Sequence, residues 1–288
     1  MGIKRRTRIW TSVGTAALLG GLAGCSEPAE LPASPNTHNE ASPTAAPAPS
    51  FSEGEGEGGE GEGGATGGEF GIDPVEAETD PVVFLTALEV MRAHYLAGID
   101  AFQAGSRTAG AEMFAHPISE IYLDFEPALE SRGAPLFGDT MTDASVAPYS
   151  GESDEAIAAR VADVVTAIDA ASAFAPRSQL SPAGVHARVL TDLIERAALQ
   201  YEVLTTHPDA QEPYLDGYGF ARAARRYAGN HLEQVAEGNP DLALRLGRAV
   251  SAMAAAFPTV TRPASLDRDS AALLALAADV RAGADALR

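Results

Sequence analysis

Residues 80–133 read DPVVFLTALEVMRAHYLAGIDAFQAGSRTAGAEMFAHPISEIYLDFEPALESRG, and this stretch decides the fold. Asp80-Pro81 is a helix start, with a carboxylate to cap the free N–H groups and a proline already set for the first turn. A first helix runs to about Ala104. A second follows from about Thr108, so the two form an antiparallel hairpin turning near Gly105. Each arm carries Met-x-x-His: Met91-Arg92-Ala93-His94 and Met113-Phe114-Ala115-His116. His94 and His116 are each 11 residues from Gly105, so they come to the same level. Packed helix axes run about 8–10 Å apart, close enough for two inward imidazoles to share a ligand. A turn centred nearer Arg107 would instead set His94 against Glu120.

Facing follows from the helical period. At about 100° per residue, Thr86, Glu89, Arg92, Asp100 and Gln103 share one polar stripe, expected to face solvent. His94 lies roughly 140° from Glu89, among Ala87, Val90, Gly98 and Ala101, so it is expected in the core with Met91 beside it. On the second arm, Pro117 removes a backbone donor and predicts a kink next to His116. Beyond it Ile118, Ile121, Phe125 and Leu129 make an apolar face, and His116, Glu120 and Asp124 form a strip on another.

Downstream, residues 133–152 hold two prolines and several glycines and read as a loop, either a lid or simply irregular. Helices are then expected from Ser153 to near Pro176, Pro182 to His207, Glu212 to Ala236, Pro240 to Pro258 and Ala264 to Leu287. No run alternates with period two, so no sheet is expected. Residues 80–288 are therefore predicted to be one all-α helical bundle of about six to seven helices.

Upstream, the pattern is that of an export signal. Lys4, Arg5, Arg6 and Arg8 precede a short apolar segment, Ile9 to Leu22, too short and glycine-rich for the about 20 apolar residues of a membrane span. Leu22-Ala23-Gly24-Cys25 is similar to a bacterial lipobox, which predicts a signal peptide over 1–24 and lipidation of Cys25, the only cysteine. Ser26 after that cysteine resembles an outer-membrane address in a Gram-negative cell. The expected location is thus the cell envelope, lipid-anchored and periplasm-facing. Residues 25–79 follow as an acidic Gly/Pro-rich disordered tether; Glu53-Gly54-Glu55-Gly56 and its repeats offer no fixed ligand geometry.

Composition narrows the function. The net charge is −20, and residues 1–24 contain four basic groups and no acidic one, so 16 basic residues face 40 acidic ones beyond them. Such a balance argues against nucleic acid and against docking on anionic lipid heads. There is no Gly-x-Ser-x-Gly, no phosphate-binding glycine loop and no His-Glu-x-x-His, so a non-enzymatic role is expected. Among the other histidines, His186 lies beside Val189, Leu190 and Leu193 and reads as core-facing. His231 and Glu233 fall on different helix faces, His207 ends a helix before proline, and His38 belongs to the tether. The candidate metal ligands are therefore His94 and His116, then Glu120, then Met91 and Met113. Histidine with carboxylate suits iron or zinc, whereas histidine with thioether suits copper. The alternative is an envelope scaffold whose methionines merely fill the core.

The layout resembles the imelysin-like proteins, especially the EfeO-type iron-uptake proteins. The likeness rests on Leu85 to Arg132: a helix, the Phe102-Gln103-Ala104-Gly105 turn, and a second helix ending Leu123-Asp124-Phe125-Glu126-Pro127. A weaker likeness runs from Leu190 through Tyr218-Gly219-Phe220 to about Ala255. The resemblance implies an exported helical-bundle protein that acquires iron or another metal and works with a metal-transport partner. The family's Gly-x-His-x-x-Glu signature is absent, and residues 133–152, where it would fall, contain no histidine. His116 and Glu120 have a different spacing, so the family's ligands are not carried onto them.

Overall fold

A computed structural model describes residues 71–208 and 210–288. The expected signal peptide, Cys25 and the expected tether up to residue 70 lie outside the described residues. Those described are all-α, with no strand among them. The order is α1 (Pro74–Ala77), α2 (Pro81–Gln103), α3 (Arg107–Pro117), a π-helical turn (Ile118–Tyr122), α4 (Leu123–Arg132), α5 (Gly138–Val146) and a 3-10 turn (Ala147–Tyr149). There follow α6 (Asp154–Ser172), α7 (Pro182–Thr206), α8 (Glu212–Gly238), α9 (Pro240–Ala256) and α10 (Ser270–Ala286). Caps set the starts: the side chains of Asp80, Ser153, Ser181, Asn239 and Asp269 each accept a first-turn N–H.

The folded domain begins earlier than residue 80. Asp73 caps α1, and Ile72 and Ala77 are buried where α1 packs on α2 and α4. The acidic run around Glu76 and Glu78 disguises this apolar pair. Residues 133–152 are likewise not a plain loop. Phe137, Met141 and Ala144 are buried at a helical spacing, which makes α5 a short amphipathic helix against α3 and α6. The final helix starts at Ser270 rather than at Ala264.

α2 is the axis of the bundle, touching α3, α6, α7 and α8. It is long and apolar enough to cross a membrane, yet 78% of that apolar stretch is buried inside the protein. This central place reverses the expected role of its polar stripe. Thr86, Glu89 and Arg92 are buried, not solvated. Arg92 Nε donates to both Glu89 carboxylate oxygens, at 3.1 and 3.0 Å, and its Nη2 donates to Asp169 of α6 at 2.7 Å. Arg226 of α8 closes the network on Asp169 at 2.8 Å. One turn from the end of α2, the Tyr218 hydroxyl donates to Asp100 at 2.7 Å and Arg222 pairs with the same carboxylate. A helical wheel of α2 locates this stripe but cannot say that α6 and α8 cover it.

Glycines let the neighbours approach. A Cβ on Gly110 would sit 2.7 Å from the Gly98 carbonyl oxygen, so α3 meets α2 nearly backbone to backbone. A Cβ on Gly219 would sit 2.5 Å from the Ala93 carbonyl oxygen, and α8 is as close on another side. Gly105 takes the left-handed conformation at φ 95° and ends the first arm where expected. Pro117 does not break the second arm. A π-helical turn follows it directly, after which α4 continues to Gly133 at φ 68°.

Candidate metal centre

His94 is 1% exposed, on the face of α2 that meets both α3 and α8. Its Nδ1 lies 2.9 Å from the Val90 carbonyl oxygen one turn earlier. A carbonyl only accepts, so Nδ1 carries the hydrogen, and a neutral ring then has its lone pair on Nε2. Nε2 is 3.6 Å from Asp216 Oδ1 of α8 and 3.9 Å from Glu120 Oε2 of the π-helical turn. His116, at the end of α3, places Nδ1 3.7 Å from Glu120 Oε1 and 3.9 Å from Glu212 Oε1. The imidazole centroids are 6.3 Å apart with planes at 69°. One ligand atom each from His94, His116 and Glu120 falls within 4.8 Å of the others.

The register read around Gly105 thus brings the two histidines together. Glu120 joins both of them, so the two pairings considered for His94 are present at once. Asp124, the far end of the strip, is exposed and outside the cluster. Met91 and Met113 are 0% and 2% exposed and belong to the apolar core.

No family model, curated protein or solved structure matches this chain. The cluster is therefore read from its own geometry and charge. Distances of 3.6–3.9 Å are too long for hydrogen bonds. They are close to the separation of donors that share an ion: bonds of about 2.1 Å at tetrahedral angles set donors about 3.4 Å apart. The ligand atoms of His94, His116 and Glu120 lie within 4.8 Å of one another, so a first-row ion would draw them together by up to about 1.4 Å. The backbone hydrogen bond at Nδ1 is the usual orienting contact behind a ligating histidine.

Electrostatics favour the ligating form. Burial pushes the His94 imidazole below its ordinary range, and His116 adds to this, while the Val90 carbonyl and Glu120 oppose it. A neutral ring is what a metal needs. Around it stand Glu120, Asp216 and Glu212, with side chains 17%, 6% and 67% exposed. His116 at 28% and Glu212 form the side open to water.

Asp216 and Glu212 are the residues that the sequence reading missed. Asp216 had a signal: it is the one acid in the apolar run Tyr214-Leu215-Asp216-Gly217-Tyr218-Gly219-Phe220. Asp216, Gly219 and Phe220 share a helix face, so the glycine that admits α2 also delivers the carboxylate to His94. Elsewhere, His186 is half-buried, 2.7 Å from the Tyr227 hydroxyl and stacked on His231 at 4.0 Å between centroids. His207 caps the C-terminus of α7, as expected.

Proposed function

We propose that the protein binds one transition-metal ion between α2, α3 and α8, through His94, His116 and Glu120 with Asp216 and Glu212 alongside. The observation that carries this reading is the convergence of the first three, with His94 oriented by Val90. Two imidazoles beside carboxylates form a nitrogen–oxygen donor set that suits a divalent ion. That set suits ferrous iron or zinc better than Cu(I), which favours soft sulfur. The likeness to the iron-uptake proteins supports iron. Closed on all but the His116 side, the site suits holding an ion rather than turning over a substrate. With lipid at Cys25, the protein is an envelope lipoprotein that captures or hands on metal, with a metal-transport protein as partner.

The test is equilibrium metal binding by the purified chain, stripped with a chelator and titrated with Fe(II) without oxygen, with Zn(II) and with Cu(I). The reading requires one ion per chain, loss of binding in His94→Ala and in His116→Ala, and unchanged Fe(II) affinity in Met91→Leu and Met113→Leu. Stoichiometric uptake that survives both histidine changes would overturn it, and so would no uptake at all. Cys25→Ser should separately abolish lipid incorporation; undiminished labelling would remove the anchor from the proposal.

A further inference from the structure

A second feature lies on another side of α2, away from the histidine cluster. A cavity of about 470 Å³ opens where α2, the end of α6, the start of α7 and the middle of α8 meet. That volume is within the range of small-molecule sites, about 300–1,000 Å³. Its walls divide by chemistry. Pro81, Leu85, Pro176, Leu180 and Val185 supply an apolar side, and His186, Tyr227 and His231 an aromatic one. The aromatic side is ordered by the His186–Tyr227 hydrogen bond and the near-parallel stack of His186 on His231, with planes at 13°.

The charged wall is cationic. Arg92, Arg177 and Arg226 face Glu89 and Asp169, a surplus of one positive charge in a chain of net charge −20. Arg226 engages Asp169 through Nη2, one nitrogen of a group with five N–H donors. Arg177 is exposed and lines the same cavity as Pro182, the first residue of the 25-residue helix α7, whose N-terminal dipole adds further positive potential. A local cationic surplus beside an apolar and aromatic chamber selects for negative charge on one end of a ligand and a flat or apolar body on the other.

We propose that this cavity binds a small organic carboxylate with an aromatic body, its carboxylate on Arg177 and Arg226 and its ring against His186 and Tyr227. The His186 imidazole is held down to about 4 by burial and by His231, so at neutral pH that wall is an uncharged stacking surface. The guanidiniums are then the cations available to the carboxylate. The site is independent of the metal centre, since no metal-ligand candidate lines it.

The experiment is calorimetric titration of the full chain with three probes: 3-phenylpropionate, the neutral 3-phenylpropanol and the cationic 3-phenylpropylamine. The acid should bind at one site with an affinity in the sub-millimolar range and about tenfold or more above the alcohol, as expected for a charge-assisted pair. The amine should not bind. Arg177→Gln and Arg226→Gln, both at exposed positions, should each weaken the acid about fivefold or more and leave the alcohol unchanged. His94→Ala should leave acid binding intact, which separates this site from the metal reading. Equal binding of acid and alcohol would overturn the proposal, as would the absence of saturable binding of the acid, or arginine variants that bind it as the parent does.

Discussion

Gly110→Ala should damage the protein although it adds one methyl group and improves helix propensity. The new Cβ would lie 2.7 Å from the Gly98 carbonyl oxygen and 2.8 Å from the Phe102 nitrogen and Cβ. Ordinary contacts are about 3.5 Å, so α3 must withdraw from α2 by about 0.8 Å, because backbone atoms cannot rotate away. Overpacking of this kind costs about 1–3 kcal/mol, offset by about 1 kcal/mol of propensity gained over glycine. The net loss, up to about 2 kcal/mol, lowers the melting temperature by up to about 8 °C for a domain of this size. Gly229, on α8, is the control, since nothing lies within 4 Å of its would-be Cβ. Gly229→Ala should stabilise by about 0.5–1 kcal/mol. Thermal melts of the metal-free variants followed by circular dichroism measure both. The same withdrawal separates His94 from His116 and Glu120, so Gly110→Ala should also weaken metal binding while Gly229→Ala leaves it unchanged. A Gly110→Ala protein that melts at or above the parent would refute the claim that close backbone packing sets the spacing of the two arms.

Three further outcomes are expected. Burial lowers the imidazoles of His94, His186 and His231 from 6.5, His186 to about 4. The unfolded chain then takes up protons that the folded one refuses, so the contribution of these histidines to metal-free stability should be constant above about pH 6.5 and fall as pH drops from there toward 4. Urea midpoints across that window should decline less steeply in His186→Asn, and parallel curves would contradict the assignment. Arg92→Met strands the buried Glu89 carboxylate and should cost about 3–5 kcal/mol, most of it recovered in the Glu89→Leu/Arg92→Met double variant. Urea denaturation of the parent, both single variants and the double variant checks it, and an additive double variant would mean that the two charges do not act as a pair. Asp216→Asn should weaken Fe(II) binding in the same titration without lowering the melting temperature by more than a few degrees; unchanged affinity would remove Asp216 from the site.

Much of this arrangement is legible in the sequence because it is local. The caps, Gly105 and the equal distances of His94 and His116 from it all act within one hairpin, and helical period alone sets His94 inward. What could not be read is what other helices bring. Asp216 and Glu212 arrive from α8, nearly a hundred residues or more away from the histidines. The polar stripe of α2 reads as solvated because a single helix carries no sign of how many neighbours surround it. Glu89, Arg92 and Asp100 have the same spacing in a solvated helix as in a buried one; Asp169, Arg222, Arg226 and Tyr218 make the difference. α1 and α5 escape the sequence pattern for a related reason, since each rests on two or three apolar side chains set among acids, prolines and glycines.

The most direct test is crystallographic. Crystals of the protein loaded anaerobically with Fe(II) should give one anomalous peak at the iron edge, about 2.0–2.2 Å from His94 Nε2, from His116 Nδ1 and from a Glu120 oxygen, with Asp216 drawn toward it. A peak bound through the sulfurs of Met91 and Met113 would contradict the donor set proposed here. An iron-loaded crystal with no peak between α2, α3 and α8 would contradict the metal centre itself.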